Sequence, residues 1–124
     1  MTEQQRIGRL GEDLAVQYLR RQDFEIVERN YQRLPWGEID IIAKKEQYLY
    51  FFEVKTSAST KSKYYLGERK INARKKKALY RIINVYLAQR HLPADTWWQA
   101  DALVIEINFR RKIFKLRHLK NIFY

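Results

Sequence analysis

The segment from residue 38 to residue 55 constrains the fold more than any other part of this 124-residue chain. Two runs rich in β-branched and aromatic residues, Glu38–Ala43 and Tyr48–Lys55, are separated only by the polar stretch Lys44–Gln47. Such runs favour strands, and a polar connection of this length is typical of a hairpin turn. The sequence therefore predicts two neighbouring antiparallel strands in the first half of the chain.

Helical periodicity occurs on both sides of this hairpin. Apolar residues recur at helical spacing in Gln4–Arg21 and again in Ile71–Gln89. Three further stretches have the character of strands: Phe24–Asn30, Ala100–Ile107 and Lys112–Leu116. The predicted element order is α, β, β, β, α, β, β, which indicates an α/β fold. Residues 1–124 are expected to form one domain, because the chain is too short for two independent cores.

The charge of the chain points to a polyanionic partner. The formal net charge is +11, and residues 57–90 contain 10 basic side chains against one acidic side chain. A basic surface concentrated on one segment suits nucleic acid, because neutralising phosphates releases condensed counterions. The same charge also fits a solvated surface that only keeps the protein soluble.

The composition also indicates in which cellular compartment the protein is expected. Cysteine is absent, which excludes disulfides, a thiolate zinc site and a cysteine nucleophile. The N-terminal stretch lacks the apolar region of a signal peptide, and the longest apolar run, Tyr48–Phe52, is too short to span a bilayer. We therefore expect a cytoplasmic protein that does not associate with membranes.

A polar cluster interrupts the apolar pattern of the two hairpin strands. Glu53 and Lys55 are two residues apart, so strand alternation points both side chains to one face. A turn at Lys44–Gln47 places Asp40 opposite Phe51–Glu53. Two adjacent carboxylates would repel, and a divalent cation that prefers oxygen ligands, Mg²⁺ or Mn²⁺, is the usual remedy. A structural ion-pair network at the end of the sheet is the alternative.

Two helical residues are candidates to join this cluster. Glu12 lies on the flank of the apolar stripe of the first helix, within reach of the rim of the core, although an ordinary exposed acid fits as well. Lys75 falls at the centre of the apolar stripe of the second helix. A lysine there either extends to the edge of the sheet or meets one of three acids, Glu12, Asp40 or Glu53.

Several short motifs occur together in a characteristic order: Gly11-Glu12, Arg29-Asn30, Gly37-Glu38-Ile39-Asp40-Ile41-Ile42-Ala43, Phe52-Glu53-Val54-Lys55-Thr56, Lys75 with Tyr86-Leu87, and Asp101. Over roughly residues 7–107 the chain resembles the YraN family (UPF0102). That uncharacterised bacterial family is similar to Holliday junction resolvases within the PD-(D/E)XK nuclease superfamily. Two stretches depart from the family pattern: Ser57 replaces a common arginine, and Gln99-Ala100 replaces Arg-Phe.

The resemblance implies a restriction-endonuclease-like core, in which helices flank a central mixed β-sheet. It implies metal ligands at Asp40, Glu53 and the Val54 carbonyl, with Mg²⁺ or Mn²⁺ as the cofactor. In such sites Lys55 orients or deprotonates the attacking water, and Glu12 supports the metal or its water. The implied catalytic residues are therefore Glu12, Asp40, Glu53 and Lys55.

The function implied by the resemblance is metal-dependent hydrolysis of phosphodiester bonds in DNA, with branched or structured DNA among the substrates. Basic residues of the second helix and of the segment before it would bind the flanking phosphates: Lys61, Lys63, Arg69, Lys70, Arg74, Lys75 and Lys77. Similarity to junction resolvases also suggests a homodimer, since two symmetric cuts need two sites. Two other functions stay open: a noncatalytic nucleic-acid-binding module with the same fold, and an interaction protein that binds an acidic partner.

The remaining polar and aromatic candidates are assigned to structure. Asp101 is interpreted as a structural residue, and His91 and His118, which have no partner at ligand spacing, as surface residues. Four aromatic residues are available to stack on bases but are more typical of core or rim packing: Tyr64, Tyr65, Trp97 and Trp98. Glu38 shares a face with Asp40 and is placed outside the metal ligands.

Overall fold

The computed structural model describes residues 1–58 and 72–123 of the chain. Within these residues, two helices and five strands follow the predicted order αβββαββ and confirm the α/β fold. Their bounds are α1 (Glu3–Arg21), β1 (Glu25–Arg33), β2 (Gly37–Lys45), β3 (Tyr48–Ala58), α2 (Ala73–Gln89), β4 (Trp98–Asn108) and β5 (Ile113–Leu119). Among the described residues, no helix combines the length and the apolar character that crossing a bilayer requires.

The five strands form one mixed sheet in the order β1-β2-β3-β4-β5. The predicted β2–β3 hairpin is antiparallel, and its register pairs Ile41 with Phe52 and Lys45 with Tyr48. The neighbouring pair β3–β4 is parallel, which requires a crossover connection, and α2 lies in that connection. The sheet therefore has the mixed character that the family resemblance implied, with β3 at its centre.

The helices begin where polar residues cap them. At the start of α1, Gln5 N–H donates to Thr2 Oγ1 at 3.1 Å and Thr2 N–H donates to Gln5 Oε1 at 2.9 Å, a reciprocal capping box. At the start of α2, Lys75 N–H donates to Asn72 Oδ1 at 3.0 Å, so the helix begins at Ala73. The predicted first residue, Ile71, lies outside the described residues.

The sheet separates two hydrophobic cores, one beneath each helix. On the α1 side the buried residues are Ala15, Val16, Leu19, Phe24, Ile41, Ala43, Phe52, Leu103, Ile105 and Ile107. On the α2 side they are Tyr31, Ile39, Ile42, Phe51, Leu79, Ile82, Ile83, Tyr86, Ala100, Ala102 and Ile122. The adjacent residues Phe51 and Phe52 are both fully buried, one in each core, because strand alternation points them to opposite faces.

Gly11 lets α1 approach the central strand closely. This glycine is buried in the α1 interface, and a Cβ atom added to it would overlap the side chain of Thr56 on β3. The second turn of the same helix contains another glycine, Gly8, around which a Cβ would meet no atom within 4 Å. Of these two helical glycines, packing therefore requires only Gly11.

The two glycines make a matched pair of variants. We expect Gly11→Ala to lower the free energy of unfolding by about 1–3 kcal/mol, because the added methyl forces α1 away from Thr56. Gly8→Ala should instead raise it by up to about 1 kcal/mol, since alanine is the better helix former and nothing obstructs its methyl. Urea unfolding followed by circular dichroism measures both changes. Equal effects of the two substitutions would contradict the close contact.

Candidate metal centre

The site begins where β2 and β3 separate. Backbone pairing between the two strands ends at Ile41 and Phe52. Two residues beyond Phe52, Val54 N–H donates to Asp40 Oδ2 at 2.8 Å, so a carboxylate side chain replaces the backbone acceptor. Ile39 and Ile41 also belong to opposite cores, which shows that the regular alternation of β2 breaks at Asp40. The break directs Asp40 towards β3.

Glu53 lies next to Asp40 and forms with it what we call the carboxylate pair. Glu53 is two residues from Phe51 and therefore shares the α2 face of β3, where it lines a cavity of about 160 Å³. Burial, followed by the negative charge of Glu53, raises the pKa of Asp40 to about 7, although the hydrogen bond from Val54 acts in the opposite direction. The pair is thus held where ionising both carboxyl groups is unfavourable.

Two lysines partly balance the negative charge of Glu53. Burial raises the pKa of Glu53, while the positive charges of Lys75 and Lys55 lower it in part. Lys55 is half-buried on β3, and Lys75 is exposed in the first turn of α2, where it lines the same cavity as Glu53. Of the three acids proposed as its partner, Lys75 therefore acts on Glu53. It reaches that acid from the rim of the cavity and not from within the core.

Glu12 is held at the edge of the site by two residues of β1. Asn30 Nδ2 donates to Glu12 Oε1 at 2.9 Å, and Arg29 Nη2 approaches the same oxygen at 3.3 Å. Arg29 also binds Asp13 at 2.7 Å. The charge of Glu12 makes the smallest of the contributions that raise the pKa of Asp40. Glu12 is therefore near the pair but not part of it. Asn30 therefore positions the Glu12 carboxylate, a role that the sequence did not predict.

The oxygen ligands of the pair fit a hard divalent cation. Asp40 uses Oδ2 for the Val54 hydrogen bond, which leaves Oδ1 for a metal, and Glu53 supplies a second carboxylate. A cation would relieve the repulsion from Glu53 that, after burial, raises the pKa of Asp40. Across residues 1–58 and 72–123, no three Asp, Glu or His side chains gather into one metal-binding group. A metal held here would therefore complete its coordination with backbone oxygen, water or substrate.

The predicted phosphate-binding residues fall into two groups. Arg74, Lys75 and Lys77 are exposed on the first turns of α2, beside the cavity that Glu53 lines. The other four lie outside the described residues: Lys61, Lys63, Arg69 and Lys70. Only the α2 group is therefore placed relative to the carboxylate pair.

The histidine prediction was wrong for His118. His118 Nε2 lies 2.7 Å from Asp101 Oδ2, and Tyr18 Oη lies 2.8 Å from His118 Nδ1. His118 is on β5, which pairs with β4, so this contact joins residues that are 17 positions apart. Asp101 is the only charged residue in the apolar run from Ala100 to Ile105, and that isolation was the available signal for a partner. His91 is exposed, as predicted.

Trp97 and Trp98 pack among other aromatic rings. Trp98 contacts the rings of Phe51, Tyr80 and Phe123 at centroid distances of 5.8–5.9 Å. Trp97 contacts the Tyr48 ring at 4.8 Å and is 48% exposed. Rim and core packing therefore accounts for both, as the sequence favoured. Tyr64 and Tyr65 lie outside the described residues.

Comparison with known proteins shows one consistent relationship. Residues 11–107 match the model of a family described as "Uncharacterised protein family UPF0102". A UPF0102 protein of Alkaliphilus oremlandii is 35% identical over 118 residues, which cover 95% of this chain and 97% of the relative. A UPF0102 protein of Desulfitobacterium hafniense is 45% identical over 87 residues, which cover 70% and 69%. The matched region includes Glu12 and the carboxylate pair but ends before His118.

The repulsion between Asp40 and Glu53 leads to a prediction about the stability of the protein. Asp40→Asn keeps an oxygen to accept the Val54 hydrogen bond and removes the charge, so without metal it should raise the free energy of unfolding at pH 8 by about 1–3 kcal/mol. The pKa of Asp40 is raised to about 7 in the folded protein. The stability that protonated Asp40 contributes to the wild type therefore decreases as pH rises towards 7 and is absent above that value. Near pH 4 the two proteins should be similarly stable.

Urea unfolding at pH 4 and pH 8 measures this difference. The exposed Asp95 provides the control, because Asp95→Asn removes an equal charge away from the site and should change stability little at either pH. If Asp40→Asn destabilises the protein at pH 8, the carboxylate is stabilised by its surroundings and the repulsion argument fails.

Proposed function

The chain belongs to the uncharacterised protein family UPF0102, and we propose that it is a metal-dependent endonuclease that hydrolyses phosphodiester bonds in DNA. The observation that carries this proposal is the carboxylate pair, in which Asp40 and Glu53 are both half-buried and have raised pKa values, with Lys55 close by. A pair of this kind, followed by a lysine two residues later on one strand, resembles the sites of PD-(D/E)XK nucleases.

The chain's own residues suit the requirements of phosphodiester hydrolysis. Asp40 and Glu53 would hold Mg²⁺ or Mn²⁺, together with the carbonyl of Val54. When bound, the cation supplies polarisation of the phosphate and an acidified water. Lys55 shares the face of Glu53, where its ammonium group can orient the attacking water and offset charge on the phosphate. Glu12, fixed by Asn30, would accept a hydrogen bond from a water at the edge of the site.

The distribution of charge favours a nucleic-acid substrate. Arg74, Lys75 and Lys77 are exposed on the helix that borders the Glu53 cavity, and the whole chain has a net charge of +11. Long basic side chains that contact phosphates fix the position of a duplex without reading its bases. We therefore propose recognition of DNA by backbone contacts, with branched or structured DNA among the substrates, and not recognition of a base sequence.

One observation favours a second function, a noncatalytic nucleic-acid-binding module. In the part of the chain that the structure describes, only two carboxylates come together, and Glu12 stays bonded to Asn30 and Arg29. A site that lacked a metal would keep the fold and the basic α2 surface without cutting DNA. Metal binding and cleavage therefore have to be measured separately.

Metal binding should depend on the ionisation of Asp40. Calorimetric titration with Mn²⁺ or Mg²⁺ should show one site in the wild type and none in the double variant Asp40→Asn, Glu53→Gln. Because the pKa of Asp40 is about 7, protons compete with the metal below that value, and the affinity should rise with pH up to about 7 and then level off. The exposed Glu25 provides a control in Glu25→Gln, which should bind as the wild type does. Equal binding by the double variant would place the metal elsewhere.

Cleavage tests the proposal itself. Branched and linear DNA incubated with the wild type and Mg²⁺ or Mn²⁺ should be cut, and Asp40→Asn, Glu53→Gln and Lys55→Met should each reduce the rate by at least about 100-fold. Glu25→Gln should cut at the wild-type rate. Metal binding with no cleavage of any DNA, but with salt-dependent DNA binding, would establish the noncatalytic module instead.

A further inference from the structure

A second polar site lies at the opposite end of the β2–β3 hairpin from the carboxylate pair. Its floor is Asp101, which is 1% exposed and receives hydrogen bonds from Gln99 Nε2 at 2.9 Å and Asn121 N–H at 3.0 Å, in addition to the His118 contact. His118 in turn contacts Tyr18 of α1. The network therefore joins α1, β4, β5 and the segment after β5 around one buried carboxylate.

This network borders a cavity of about 400 Å³. Lys45, at the end of β2, and Lys120, just after β5, line it together with the acid Glu46, and Gln22 and Asn121 contribute amide groups. Phe24 and Tyr50 form an aromatic wall, with their ring centroids 4.9 Å apart. A cavity of this size accepts a small molecule, and its cations and amides suit an anion.

We propose that this cavity binds a phosphate monoester on an organic group the size of a nucleoside. Lys45 and Lys120 would hold the phosphate, and the aromatic wall would contact the organic group. The volume exceeds what a bare phosphate needs, which favours the larger ligand. Along β2, Lys45 is five residues beyond Asp40, or roughly 17 Å, so this site is separate from the carboxylate pair and does not rest on the nuclease proposal.

His118 holds Tyr18 at the border of this cavity. The Nε2 atom faces the Asp101 carboxylate and is assigned the proton, so Nδ1 accepts a hydrogen bond from the Tyr18 hydroxyl. Tyr18 therefore lines the cavity in a position that the buried carboxylate fixes through His118.

Two sources can supply this chemistry, a free nucleotide and the phosphorylated end of a nucleic-acid strand. Calorimetry without metal would compare adenosine monophosphate, adenosine, inorganic phosphate, and a trinucleotide with and without a 5′-phosphate. We expect each phosphorylated probe to bind at least about tenfold more tightly than its unphosphorylated counterpart, because of charge-assisted contacts with the lysines. Tighter binding of the phosphorylated trinucleotide than of the mononucleotide would assign the site to strand ends, and the reverse to free nucleotides.

Neighbouring lysines provide the matched variants. Lys45→Gln should weaken binding of adenosine monophosphate by about tenfold, whereas Lys44→Gln, which removes the same charge from an exposed position on the opposite face of β2, should leave it unchanged.

Three results would overturn the inference. Equal affinity for adenosine and its monophosphate would leave no role for the phosphate. Equal losses in Lys44→Gln and Lys45→Gln would mean that the net charge of the protein, and not this cavity, attracts the ligand. Absence of binding by every probe at millimolar concentration and low salt would show that the Asp101 network only holds the elements together.

Discussion

The separation of β2 from β3 at Asp40 is the feature on which the candidate metal centre depends. Up to Ile41 and Phe52 the two strands are joined by backbone pairing, and beyond this point the Asp40 carboxylate accepts the Val54 hydrogen bond at 2.8 Å. A buried N–H group without an acceptor would cost about 1–3 kcal/mol, so the side chain preserves this end of the sheet. The same bond holds Asp40 next to Glu53, and both the repulsion and the candidate cation site depend on that proximity.

The hydrogen bond alone does not explain why residue 40 is an aspartate. An asparagine would offer Val54 the same acceptor without a charge, whereas the aspartate has its pKa raised to about 7 by burial and by Glu53. Functional sites characteristically contain residues that lower the stability of the free protein even though a neutral residue of the same shape exists. The repulsion is therefore an argument for a ligand that needs both carboxylates, and a divalent cation is such a ligand.

The sequence predicted local structure better than contacts between distant segments. Alternation and the polar turn at Lys44–Gln47 were sufficient to bring Asp40 and Glu53 together, because a hairpin register depends only on the residues within it. The contact of Asp101 with His118 depends on where β5 pairs with β4, which no pattern within either strand reveals. The mixed character of the sheet likewise came from the family resemblance, and the parallel pairing of β3 with β4 was not predicted.

Helix α1 contributes to both polar sites, at positions set by one close contact. Gly11 packs against Thr56, the adjacent Glu12 is bonded to Asn30, and Tyr18 reaches His118 six residues, or about 9 Å, further along. A ligand at one site would affect the other only if α1 had two positions, since coupling needs two states that each ligand distinguishes. The contact of Gly11 with Thr56 leaves no space for α1 to move closer to β3, and any movement away opens the core. The two sites should therefore act independently while that contact is maintained.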